Sequence, residues 1–251
     1  MIKAITITNP IHDLPAFQPG TVLDMNRNLV VLIGDSGTGK STLISEIYDL
    51  LREDAYTPAE SLLAIESEER TTAHFARPSN LEEERIFLLD LVSQQVEQIY
   101  DKYGSKIGTS VSRVMERFDI LKERFPNMKA LKTFIRHGSQ GQIRSLYIDT
   151  LLQQMQEKPE QDVLLLDEPE KGIGARQRGA FVQYLADHAK KGRQIILATH
   201  DLAFCKVPDT RIIDLNATPA RSMSTADFDV DKYASSSPLP HNGYSAILRE
   251  V

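Results

Sequence analysis

The unbroken apolar run Leu29-Val30-Val31-Leu32-Ile33 passes directly into Gly34-Asp35-Ser36-Gly37-Thr38-Gly39-Lys40-Ser41, after which Leu43, Ile44, Ile47, Leu50 and Leu51 recur at helical spacing. Five apolar residues without polar alternation read as a strand buried on both faces, which belongs in a parallel sheet covered by helices. Strand, glycine loop and helix in that order constrain the chain to an α/β architecture. The pattern resumes later, with a helix from about Gly141 to Glu157, a strand Val163 to Leu166, a helix from Arg176 to Lys190 and a strand Gln194 to Ala198. Such alternation implies mainly parallel strands joined by crossover helices. At 251 residues, 41% of them apolar, the chain can bury a substantial core as one domain.

The loop satisfies G-x-x-x-x-G-K-[ST], and its residue types carry the chemistry. Glycines let successive backbone N–H groups turn inward on phosphates, Lys40 brings positive charge to the β- and γ-phosphates, and the Ser41 hydroxyl can ligate Mg²⁺. The helix that follows points its positive end at the same place. Gly34, Asp35, Ser36, Gly37, Thr38, Gly39, Lys40, Ser41 and Thr42 are therefore the expected cradle for ATP with Mg²⁺.

Two further strands end in polar residues. Asp162-Val163-Leu164-Leu165-Leu166-Asp167-Glu168-Pro169 closes on a pair of acids, and Gln194-Ile195-Ile196-Leu197-Ala198 closes on Thr199-His200-Asp201. Ligands gather at the carboxyl ends of parallel strands, where the glycine loop also lies. There Asp167 would hold Mg²⁺ and Glu168 would polarise the attacking water, with His200 donating to the γ-phosphate or orienting that water. A solvated strand end and a structural histidine are the plainer readings of the same residues.

The rest of the chain is less informative. Ser61 to Glu66 and Thr72 to Arg77 look like a further strand pair. Ile86, Leu89, Val96 and Ile99, then Val111, Val114, Met115, Phe118, Leu121 and Phe125, mark two amphipathic helices of a lobe inserted at about 81–136. Residues 1–216 make up the expected domain, and 217–251 lose periodicity and read as a partly ordered tail. A charge of six negative gives no reason for non-specific nucleic-acid binding by the whole surface. The stretch Lys122 to Arg136 carries five cations interleaved with Phe125 and Phe134, either a solvated helical face or a patch for DNA phosphates. Cys205, the single cysteine, sits in an apolar run and is expected to be a buried, inert thiol in a reducing compartment. No run reaches the roughly 20 apolar residues of a membrane span, and no signal-peptide pattern opens the chain, so the expected location is cytoplasmic.

GDSGTGKS, VLLLDEP and ATHD stand in the order and approximate spacing of the Walker A, Walker B and switch-histidine motifs, and the chain resembles the ABC-type P-loop ATPases. That resemblance implies a P-loop fold with Glu168 as catalytic glutamate, His200 as switch histidine and Lys40 as phosphate-binding lysine. His137-Gly138-Ser139-Gln140-Gly141-Gln142 resembles a degenerate ABC signature, with Ser139, Gly141 and Gln142 matching. A simple helix N-cap is the other reading of Ser139. If the resemblance holds, Ser139 and Gly141 reach the γ-phosphate held by a second copy, in a head-to-tail homodimer that sandwiches two ATP molecules. DEPE and GRQIILATHDLAF are similar to compact stand-alone ATPases related to the RecF, Rad50 and SMC group, from which DNA association follows by analogy alone. Gly174 stands where the D-loop usually has Asp, and no Gln ends the strand before the lobe. The leading expectation is a dimeric ATP hydrolase acting as a switch or motor on a partner. The energising subunit of a membrane transporter is the alternative, with a P-loop kinase and an ATP-binding switch of negligible hydrolysis behind it.

Overall fold

The computed structural model describes residues 1–10, 14–51, 62–67, 71–76, 81–89, 124–155 and 162–236. Among the described residues six strands form the central sheet, in the spatial order β5 (Thr72–Ala76), β6 (Asp162–Asp167), β7 (Gln194–Ala198), β3 (Leu29–Ile33), β8 (Thr210–Asp214) and β9 (Arg221–Ser224). The first five are parallel, and β9 runs antiparallel along β8. A smaller antiparallel sheet has the order β2 (Val22–Asp24), β1 (Ile2–Ile7), β4 (Leu63–Ser67). The expected α/β fold with a mainly parallel sheet and flanking helices is what the chain adopts.

Successive strand side chains point to opposite faces, so the apolar run of β3 serves two cores. Val31 and Ile33 join Leu164, Leu166 and Leu197 in one layer, covered by α3 (Gln140–Gln154) and α4 (Ala175–Lys190) through Leu146, Leu151 and Leu185. Val30 and Leu32 join Val163, Leu165 and Ile196 in the other, covered by Leu43, Ile44 and Ile47 of α1 (Lys40–Leu51) and by Ile2, Ile5 and Ile7 of the small sheet. Full burial of each such side chain contributes about 1.5–3 kcal/mol. Gln194 joins the two sheets, accepting from Ile2 N–H at 2.7 Å and donating to Ile2 O at 2.8 Å.

Two expectations change. The strands near 61–66 and 72–77 exist as β4 and β5 but do not pair with each other, since β4 lies on β1 and β5 lies on β6. Residues 81–89 are helical, yet Ile86 is 55% exposed, and the buried face carries Glu84 and Leu88 instead. In the region read as a tail, β9 extends the central sheet and α5 (Val230–Ser236) follows it. Of the lobe, residues 81–89, Arg124 and Phe125 and the helix α2 (Met128–His137) are described. Val96, Ile99 and Val111 to Leu121 lie outside the described residues, as does 237–251.

Candidate nucleotide site

The register of three adjacent strands brings the motifs together. Leu32 of β3 stands beside Ala198 of β7, and Ala198 stands beside Asp167 of β6. The glycine loop, Glu168 and Thr199-His200 therefore leave the sheet at one level and one edge, the carboxyl ends of parallel strands. Ser36, Gly37, Gly39, Lys40, Ser41, Thr42, Glu168 and His200 line one cavity of about 290 Å³ there, with Leu14 as an apolar wall.

Local geometry explains the loop's composition. Gly39 has φ +94°, and a Cβ there would lie 2.4 Å from Phe17 Cε2 and 2.6 Å from Leu14 Cδ1. Only glycine fits against this buttress. Thr38 Oγ1 donates to Asp35 O at 2.9 Å. Lys40 is 5% exposed, and its Nζ donates to Gly34 O at 2.7 Å and to Asp35 O at 2.9 Å. Burial pulls the Lys40 ammonium below its ordinary pKa, against the opposing influence of Glu168, Asp167, Asp35 and Glu170.

Asp167 is 1% exposed, and desolvation raises its pKa, opposed by a hydrogen bond from the Ser41 hydroxyl. Its Oδ1 has no hydrogen-bond partner among the described residues. A buried carboxylate oxygen without a donor, beside a hydroxyl at a helix start, fits a hard cation. Among the described residues no group of three His, Cys, Asp or Glu side chains converges on a metal position.

Glu168 has φ +46°, a left-handed backbone that side chains adopt at a cost. Its carboxylate pairs with Lys171 and faces His200 Nε2 at 3.4 Å. The sequence reading missed Glu170, whose Oε1 accepts from Thr199 Oγ1 at 2.7 Å and from His200 N–H at 3.1 Å. The third acid of DEPE was the available signal. It missed Arg144 as well, fully buried on α3, which donates to Glu84 Oε1 at 2.5 Å and to Asp167 O at 2.9 Å.

Ser139 is the N-cap residue of α3, and its N–H donates to Gln142 Oε1 at 2.9 Å. A Cβ on Gly141 would lie 2.3 Å from Gly172 O, so the start of α3 abuts the loop that follows β6. Ser139 and Gly141 line a separate cavity of about 630 Å³ and are absent from the lining of the phosphate-loop cavity. Within one chain the structure does not bring them to the loop. Gly174 is the N-cap of α4. Gln94 and Gln95 lie outside the described residues.

The basic stretch has a structural use. Phe125 and Phe134 pack on each other with ring centroids 4.9 Å apart, and Arg124 pairs with the buried Asp149 at 2.8 Å. The two rings are thus committed to each other rather than offered to bases. Cys205 is 2% exposed, and burial pushes its thiol up to about 12. No helix among the described residues is long and apolar enough to cross a membrane.

Comparison with known proteins agrees with the geometry. The family described as "AAA domain, putative AbiEii toxin, Type IV TA system" matches residues 75–206. A "Putative ABC transporter ATP-binding protein" of Methanosarcina acetivorans is 26% identical over 200 residues, which cover 75% of this chain and 34% of that protein. The chain thus spans about a third of the length of the first relatives that it matches. The "Energy-coupling factor transporter ATP-binding protein EcfA" of Syntrophomonas wolfei is 26% identical over 240 residues, 90% of this chain and 80% of that one. Among solved structures, a dimeric ATP-binding cassette in a post-hydrolysis state with ADP and Pi superposes with TM-score 0.53 at 19% identity, covering 91% of this chain and 100% of the other. The fold is that of the ABC-type ATPases.

Proposed function

The chain belongs to the family described as "AAA domain, putative AbiEii toxin, Type IV TA system" and is an ABC-type P-loop ATPase, and from that premise we propose that it hydrolyses Mg-ATP as the energising subunit of a membrane transporter. The observation that carries the catalytic part is the meeting of Lys40, Ser41, Asp167, Glu168 and His200 at one sheet edge. Backbone N–H groups and Lys40 hold the phosphates. Ser41 and Asp167 would hold Mg²⁺, which when bound would offset charge on the β- and γ-phosphates. Glu168 accepts the proton of the attacking water, and His200, whose backbone N–H is held by Glu170, orients the γ-phosphate end.

The second chain enters because Ser139 and Gly141 do not reach the loop of their own chain. In a head-to-tail homodimer each signature start caps the γ-phosphate held by the other subunit, and hydrolysis removes that bridge. The recurrence of transporter ATP-binding proteins among the relatives supports a membrane partner. Association with DNA, and kinship with the RecF, Rad50 and SMC group, gain no support from those relatives. The expectation that led the sequence reading therefore yields to its alternative.

Glu168→Gln protein, with ATP, tests both parts. We expect it to become dimeric on a sizing column and to co-purify with an integral membrane protein from detergent-solubilised membranes. A monomer with ATP, together with a wild-type rate per subunit that ignores protein concentration, would remove the dimer. Capture of soluble factors alone would remove the transporter.

A further inference from the structure

One peptide unit of the phosphate loop is gripped at both ends. The carbonyl of Gly34 accepts from Lys40 Nζ at 2.7 Å inside the cradle, and the amide of the same unit, Asp35 N–H, donates outward to Asn216 Oδ1 at 2.9 Å. With Oδ1 engaged, the other end of the Asn216 side chain is free to donate, and Nδ2 does so to the Tyr233 hydroxyl at 2.9 Å. Asn216 is itself pinned to the end of β8, since its N–H donates to Asp214 Oδ1 at 3.0 Å. Tyr233 is carried by α5, where its ring packs on Phe228 with centroids 5.2 Å apart and both rings lie against the core layer that contains Val31, Ile33 and Leu197. Tyr233 and Ala234 also line a cleft of about 120 Å³ with Gly34, Asp35, Thr199 and His200.

A peptide unit is planar, so its carbonyl and its amide turn together. When phosphate oxygens draw Lys40 away from Gly34 O, the amide bond to Asn216 still braces that plane. We infer that Asn216 and Tyr233 are positioning residues for ATP, holding the Gly34–Asp35 peptide so that Lys40 can exchange a loop carbonyl for a phosphate oxygen without the loop collapsing. The helix α5 thereby becomes a working part of the phosphate cradle. Neither residue touches the nucleotide in this scheme, and their effect falls on binding rather than on the water-activating groups.

The inference rests on the proposed role of Gly34 to Ser41 and is tested beside it. Tyr233→Phe, Asn216→Ala and the double variant are compared with wild type for ATP KM, kcat, Kd of a fluorescent non-hydrolysable ATP analogue, and Tm. One exposed hydrogen bond corresponds to roughly a three- to tenfold change, so each single variant should raise KM and Kd by about that factor with kcat within about twofold. Because Tyr233 acts through Asn216, the double variant should match Asn216→Ala alone. Full additivity of the two changes, a fall in kcat at constant KM, or a lowered Tm with unchanged Kd would each overturn it. Lys40→Ala separates the two ideas. If it binds the analogue like wild type, the cradle assignment falls and the relay with it; if it loses binding while Tyr233→Phe does not, only the relay falls.

Discussion

Arg144 donates to the backbone carbonyl of Asp167 over 2.9 Å, so a side chain on the helix that Ser139 caps holds the residue that ends β6. A second hydrogen bond, 2.5 Å to Glu84 Oε1, reaches the helical segment at the entry to the lobe. Burial raises the Glu84 pKa, against the lowering effect of Arg144. Breaking a buried pair from one side strands the remaining charge, which costs about 3–5 kcal/mol. Arg144→Met should therefore lose about that much in urea unfolding. Adding Glu84→Leu to it should recover part of the loss, because the pair is then replaced by apolar surface.

His200 Nε2 lies 3.4 Å from Glu168 Oε1, and in the proposed function the two side chains act on one water. Glu168→Gln should lower kcat by about 10²–10⁴ and leave ATP binding nearly unchanged. His200→Ala should lower kcat by about 10². In the double variant the losses should fall well short of their product, as groups acting on one water do. Single-turnover kinetics read this directly, and multiplicative losses would separate the two roles.

Much of this site was legible because its parts are local. A buried strand, a glycine loop and a helix lie next to one another in sequence, and Asp167, Glu168 and His200 each end an apolar strand. Strand partnership was not legible. Alternation in β4 and β5 shows which faces are buried but not which neighbour supplies the hydrogen bonds, so two strands assigned to one pair lie in different sheets. Arg144 was hidden for a related reason. The helix α3 is buried around most of its circumference, so its amphipathic signal is weak and a charged residue inside it looks like an exposed one. β9 and α5 are only 4 and 7 residues long, too short for periodicity to show.

Gly141 offers a test of the second chain in which the strain within its own chain falls on the start of α3, away from the phosphate loop. A methyl group there would meet Gly172 O at 2.3 Å, against backbone that cannot swing aside. Gly141→Ala should bind the ATP analogue with wild-type Kd. It should also need at least about tenfold more protein for ATP to produce the dimer, a weakening of about 1.4 kcal/mol. Sedimentation against concentration would show it, and an unchanged dimer would place Gly141 away from the interface.

His188 should set an acid limit on stability. Burial pushes its pKa down to about 4, assisted by Arg193, whose Nη1 lies 2.7 Å from His188 Nδ1, and by Lys191. The unfolded chain takes up this proton near 6.5 and the folded chain only near 4. The unfolded state thus binds more protons in that window, and stability falls as pH is lowered through it, with no contribution from His188 above 6.5. His188→Gln should flatten this part of the urea-midpoint profile. An unchanged slope between pH 6 and about 4.5 would assign the acid sensitivity elsewhere.

The left-handed turn at Glu168 has a consequence for how such a chain tolerates change. Glycine at that position would relax the backbone by about 1 kcal/mol while deleting the carboxylate. In the proposed function a Glu168→Gly variant would therefore gain heat resistance, keep its hold on ATP and lose turnover, so the catalytic carboxylate is carried at the expense of a relaxed corner.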